Sequence, residues 1–167
     1  MKSGSIGDPD MYLGSKIRRV VFENGVEAWA DSALKYLQEA MSNSEAYFCE
    51  NFGGRKFAKK VIDPFESEYD PLMDSSADMG PIILNYYQTQ IGVLRWMVEL
   101  GRIDIITEVS MLASQHALPR GVCLELVFHI FGYLKGHHNA RMVFDPTYPT
   151  PDMSMFQEHD WYDLMVT

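Results

Sequence analysis

Apolar residues recur at helical spacing through the middle of the chain. Tyr87, Ile91, Leu94 and Val98 form one run; Ile105, Ile106, Val109, Leu112, Ala113 and His116 a second; Leu124, Val127, Phe128, Phe131 and Leu134 a third. Side chains three and four apart share a helix face, so each run predicts a helix with one buried side. Pro81 suits the first turn of the first helix. Gly101 ends it with the left-handed residue that a helix C-terminus favours. Asp104 is placed to cap the second helix, and Leu118-Pro119 to stop it, because proline cannot continue the ladder. Short turns between three such helices predict antiparallel neighbours in a rigid unit.

Upstream the period changes. Lys16 to Phe22 is strand-like and β-branched at its centre, Asn24-Gly25 is a strong two-residue hairpin signal, and Val26 to Trp29 supplies the returning strand. Asp31 or Ser32 is expected to cap a helix carrying Ala33, Tyr36, Leu37, Ala40, Met41, Tyr47 and Phe48 on one face, ending near Asn51 to Gly54. Downstream, Ala140 to Asp145 reads as a short strand, after which Pro146, Pro149 and Pro151 break any regular element.

The same stretches carry a resemblance. Tyr87, Ile91-Gly92 and Leu94, then Arg102-Ile103-Asp104-Ile105, Val109-Ser110 with Leu112, Pro119, and Gly132-Tyr133-Leu134-Lys135-Gly136 follow a familiar order and spacing. The segment is similar to the one after the reverse transcriptase palm in copia-type LTR-retrotransposon polyproteins. There the pattern is roughly Tyr-x-x-x-Ile-Gly-x-Leu, Thr-Arg-Pro-Asp-Ile, Val-Ser-x-Leu, a Pro, and Arg-Tyr-Leu-Lys-Gly. Tyr12-Leu13-Gly14 resembles the strand directly after that palm, and the helix beyond it the start of the polymerase thumb. Three departures stand out: Ile103 replaces a proline, Cys123 stands where many members have His, and Phe128-His129 replaces a Lys-Arg pair.

The resemblance implies a thumb and connection piece that holds an RNA–DNA or DNA duplex for a palm. The missing palm and an RNase H domain of the polyprotein would be its partners. The family's palm holds magnesium on adjacent aspartates in an upstream hairpin, and no Asp-Asp pair occurs in this sequence. The chain alone is therefore expected to need no cofactor and to have no catalytic residue, with Mg belonging to the parent. Tyr87, Gly92, Arg102, Asp104, Pro119, Tyr133 and Lys135 are the structural motif positions that the match carries over. Arg102 and Asp104 are expected to fix the turn between two helices, by capping and a charge-assisted hydrogen bond.

Charge narrows where nucleic acid could lie. The 167 residues carry a net charge of −9, which argues against a generic duplex binder, because such affinity is mostly phosphate neutralisation. Residues 1–60 nevertheless hold nine Lys/Arg against eight Asp/Glu, whereas residues 61–167 hold five against fifteen. Arg55, Lys56, Lys59 and Lys60, interrupted by Phe57, have the pattern of a segment lying along phosphates; a solvated charged strand or linker is the other reading. Arg18 and Arg19 on the hairpin extend the candidate set.

Other chemistry is weaker. Cys123, His129, His137 and His138 match no closed zinc spacing, and a helix C-terminus accounts for the His pair better, so no metal site is expected. Two distant cysteines make no disulfide framework and suit a reducing cytoplasmic or nuclear compartment. No apolar run approaches membrane-spanning length, and no apolar leader follows Met1.

The expected architecture is mainly α: about four helices near 32–50, 81–100, 104–117 and 120–135, a small N-terminal β-hairpin and a short C-terminal strand. Along the chain this gives a disordered lead (1–10), the palm's last hairpin with a thumb helix and basic segment (11–62), an acidic linker (63–80), a three-helix connection unit (81–145) and a linker toward an absent RNase H domain (146–167). The alternative is a free-standing, non-enzymatic helical interaction module.

Overall fold

Tight turns at glycine set up the sheet. In the computed structural model, which describes residues 10–58, 61–65 and 75–147, Gly25 adopts φ +81° in the turn between β2 (Ser15–Val21) and β3 (Glu27–Ser32). The turn closes with Gly25 N–H donating to Phe22 O and Asn24 Oδ1 accepting from Val26 N–H. A two-residue strand β1 (Met11–Tyr12) precedes β2, and β4 (Met142–Phe144) pairs antiparallel with β3. The sheet order is β1-β2-β3-β4.

Four helices complete a mainly α fold: α1 (Leu34–Asn51), α2 (Pro81–Glu99), α3 (Ile106–Ser114) and α4 (Gly121–Gly136). Their apolar faces meet in one core. Tyr87, Ile91, Leu94 and Met97 of α2, Val109 and Leu112 of α3, and Val127, Phe131 and Leu134 of α4 are all nearly inaccessible. Leu37 and Phe48 of α1 belong to the same cluster, so the helix assigned to a thumb shares its core with the three-helix unit. Each such side chain contributes about 1.5–3 kcal/mol on burial.

Three expectations need correction. Neither Asp31 nor Ser32 caps α1, because β3 continues through both: Asp31 pairs with Ile17 and Ser32 with Lys16. The helix starts at Leu34, with Ala33 as its N-cap residue and no side-chain cap. Asp104 does not cap α3 either; it lies in a 3₁₀ turn (Ile103–Ile105), and its carboxylate faces Arg102. Finally, α3 stops at Ser114, short of Pro119, where the Ser114 hydroxyl bonds back to Met111 O at 2.6 Å and competes with the helical ladder.

The last residues of the expected acidic linker have a specific task. Ser76 Oγ accepts from Val122 N–H at 3.3 Å, Ala77 O accepts from Gly121 N–H at 3.0 Å, and Arg120 donates to Ser76 O at 2.8 Å. The orphan donors at the start of α4 are thus met by residues over forty positions upstream. Residues 66–74 of that linker, 1–9 of the lead and 148–167 lie outside the described residues. Asp10, at the end of the lead, is tied to β2 by accepting from Ile17 N–H.

Candidate functional site: a motif network and a divided set of cations

Tyr87, Arg102, Asp104, Tyr133 and Lys135, five of the seven motif positions expected from the resemblance, lie at joints between helices. Gly101, at φ +97°, turns the chain out of α2 and sets Arg102 pointing inward, with 2% of its side chain exposed. A buried guanidinium needs a counter-charge. Asp104 supplies it bidentately, from Arg102 Nε to Oδ1 at 2.9 Å and from Nη2 to Oδ2 at 2.7 Å. The Tyr133 hydroxyl of α4 donates to the same Oδ2 at 3.1 Å, so one carboxylate ties the α2–α3 turn to α4. Burial pushes the Asp104 carboxyl up, but the Arg102 bonds and charge, with the Tyr133 hydroxyl, outweigh it and hold it below the usual carboxylate range. Burial, then the Asp104 charge, raises the Tyr133 phenol.

Two other pattern residues make comparable joints. The buried Tyr87 donates from its hydroxyl to Leu112 O at 2.7 Å, linking α2 to the end of α3. Lys135 reaches from α4 to Glu45 of α1 at 2.6 Å. Glu45 also accepts from Phe57 N–H at 3.1 Å. Burial raises the Glu45 carboxyl, and the Lys135 bond, the Phe57 N–H and the positive charge nearby reverse that to a net lowering. Pro119 is buried in the turn before α4. Nothing in the structure explains a glycine at 92, where an added Cβ would meet open space.

The cations proposed for phosphate contact are separated. Adjacent residues of a strand point to opposite faces, so Arg18, opposite Ala30, and Arg19, opposite Trp29, cannot share one surface. Arg19 stacks over the Trp29 ring at 5.0 Å and pairs with Glu27 at 3.5 Å. Arg55 sits over the Phe48 ring at 5.1 Å and pairs with Glu125 at 3.5 Å. Since Phe48 lies fourteen residues after Leu34 on α1, about 20 Å along its axis, Arg55 lies at the helix end far from Arg18. Lys56 is exposed; Lys59 and Lys60 lie outside the described residues.

Phe57, read as an interruption in a basic run, anchors it. The ring is 4% exposed and lies 5.4 Å from the Phe48 ring and 5.5 Å from the Phe131 ring. Phe128, in place of a family cation, joins the same aromatic group, 4.2 Å from Phe48, and its neighbour His129 bonds to Asp63 O. Gly132 lets the segment approach: an added Cβ would stand 3.0 Å from Val61 Cγ2 and 3.3 Å from Ala58 O. A buried glycine on a helix's core face was the available sequence signal. His137 and His138 bond through Nδ1 to Tyr133 O and Lys135 O, as helix-end residues do.

Among the described residues no three His, Cys, Asp or Glu side chains are grouped to hold a metal ion. With no adjacent aspartates in the sequence, these residues do not fit the magnesium pair of a palm. Among them, too, no helix is long and apolar enough to cross a membrane. Comparison with protein-family models, curated proteins and solved structures brings no match.

Proposed function

We propose that the chain serves as the thumb and connection part of a copia-type reverse transcriptase, holding template–primer duplex for catalytic aspartates in a preceding palm. One observation carries the reading: five of the seven positions given by the resemblance, Tyr87, Arg102, Asp104, Tyr133 and Lys135, take part in polar joints between helices, beside Ser44–Gln90, which lies outside the pattern. The palm and an RNase H module are the polyprotein partners, and the compartment is the cytoplasm or nucleus. Duplex contact falls to phosphates, without sequence preference, through the basic segment of Arg55, Lys56, Lys59 and Lys60; Arg18 and Arg19, on opposite faces of β2, do not extend it together.

Titration with an RNA–DNA duplex at two salt concentrations tests it, with a Lys59→Glu, Lys60→Glu variant in parallel. Neutralising four phosphates gives a salt slope of roughly 3–4. Binding that is equal for the two proteins removes the basic segment from the interface. No binding at low salt by the folded chain counts against the duplex role and favours the free-standing interaction module. That second reading draws on the cleft between α2 and α3, lined by Val98, Ile106, Val109 and Ala113, and on the exposed Trp96 and Ile103.

A further inference from the structure

A cleft of about 660 Å³ opens between the sheet, the first turn of α1 and the lead into β4. Lys16 and Arg18 of β2, Lys35 of α1 and Arg141 line it, against one carboxylate among the described residues, Asp10. In a chain of net charge −9 this is a local excess of the opposite sign. Strand periodicity accounts for half of it: Lys16 and Arg18 are two apart and share a face, opposite Ser32 and Ala30, whose small side chains leave the floor open.

The cations have little to neutralise them. Among the described residues, Lys16, Arg18 and Arg141 have no ion-pair partner, and Lys35 meets only Glu39 at 4.0 Å on the exposed helix surface. The helix adds charge of the same sign. Its first turn, which contributes Leu34 and Lys35 to the wall, has no side-chain cap and no acidic residue, so the positive end of the α1 dipole adjoins the cleft. Like charges gathered in a concave, partly enclosed space raise the local potential, and a bound anion relieves their repulsion.

The rest of the lining suits more than a bare ion. Gln38 and Asn139 bring amide donors and acceptors, and Met11 and Leu34 bring apolar surface. The volume falls within the range of roughly 300–1,000 Å³ common for small-ligand clefts. We propose that this cleft binds a phosphate-bearing ligand of nucleotide size, either free or as a unit of a nucleic-acid strand. The cations take the phosphate, and the amides and apolar side chains take the sugar and base. The site is independent of the polymerase reading and uses cations other than those of the basic segment, Arg18 alone being common to both.

Amide chemical shifts of the isotope-labelled full chain test it, during separate titrations with adenosine 5′-monophosphate and with short single-stranded DNA. Saturable shifts confined to residues 14–18, 30–38 and 139–141 are expected with at least one of them, and the tighter of the two identifies the source. Arg18→Gln combined with Arg141→Gln weakens that binding by about tenfold or more, as loss of two charge-assisted contacts requires. Lys16→Gln with Lys35→Gln provides a second, independent pair, and Arg95→Gln, on the exposed surface of α2 away from the cleft, leaves binding unchanged. The spectra themselves report whether each variant is folded. Absence of saturable shifts with both probes at millimolar concentration overturns the proposal, as does binding that survives both double substitutions.

Discussion

Ser44 on α1 gives its hydroxyl proton to Gln90 Oε1 on α2 at 2.6 Å, between two residues that are each more than nine-tenths buried. It is a polar cross-link inside the α1–α2 contact, where the Tyr86 hydroxyl also lies beside Ser44. Replacing Gln90 with Leu removes the acceptor of the Ser44 hydroxyl, with only the Tyr86 hydroxyl left beside it, and should cost about 1–3 kcal/mol. Adding Ser44→Ala to that variant should recover part of the loss. Urea unfolding of the two single variants and the double variant measures the coupling; strictly additive costs would show that the bond contributes nothing.

Arg102 and Asp104 predict an asymmetry. Arg102 is buried and its Nη1 has no hydrogen-bond partner, whereas Asp104 is partly open to solvent. Asp104→Asn therefore leaves a buried guanidinium without its carboxylate and should destabilise by about 3 kcal/mol. Arg102→Met leaves a carboxylate that water can reach, and should cost less. Chemical denaturation of the two variants ranks them, and the reverse order would contradict the burial argument.

Acid sensitivity follows from Asp104 and Glu45, both held below the ordinary carboxylate range. A group with a lowered folded pKa binds protons more readily in the unfolded chain, so its contribution is full above about pH 4–4.5 and is lost as pH falls through the folded value. The urea midpoint of the unaltered chain should drop more between pH 6 and pH 3 than that of an Asp104→Asn, Glu45→Gln variant. Parallel pH profiles would remove these two carboxylates from the explanation.

Phe131 lies at the centre of the core, fully buried and stacked on Phe57. Truncation to Ala should cost roughly 3–5 kcal/mol. A smaller effect tests Gly132: Ala there presses on Val61 and the Ala58 carbonyl and should cost about 1–3 kcal/mol. Thermal melts of both variants suffice, and an unchanged midpoint for Gly132→Ala would mean that the segment yields freely.

The purified chain should incorporate no nucleotide on an RNA template in the presence of magnesium, because its sequence has no adjacent aspartate pair to grip two metal ions. Incorporation above that of a mock purification would reveal an unrecognised carboxylate site.

The helices and the hairpin were legible because their signals are local. A period near 3.6 announces α2 and α4, and Asn24-Gly25 announces the β2–β3 turn. Even so, the face of α2 was read slightly off: Met97 is fully buried, and Val98 only half buried. What could not be read depends on residues far apart in sequence. Strand pairing carried β3 through the expected helix cap, Ser76 served α4 from a distance, and Phe57 turned a basic run inward. The four cleft cations, at positions 16, 18, 35 and 141, form no run at all, so only the fold assembles them.

The sheet order also has a mechanical consequence. Residue 11 begins one edge strand and residue 144 ends the other; three strand spacings, about 14 Å, and a register offset of three residues, about 10 Å, lie between them. The helices hang between those points as a pendant loop. A pull on the two ends would load the outer ladders of the sheet first, β1–β2 with two residue pairs and β3–β4 with three, before the helical core felt the strain.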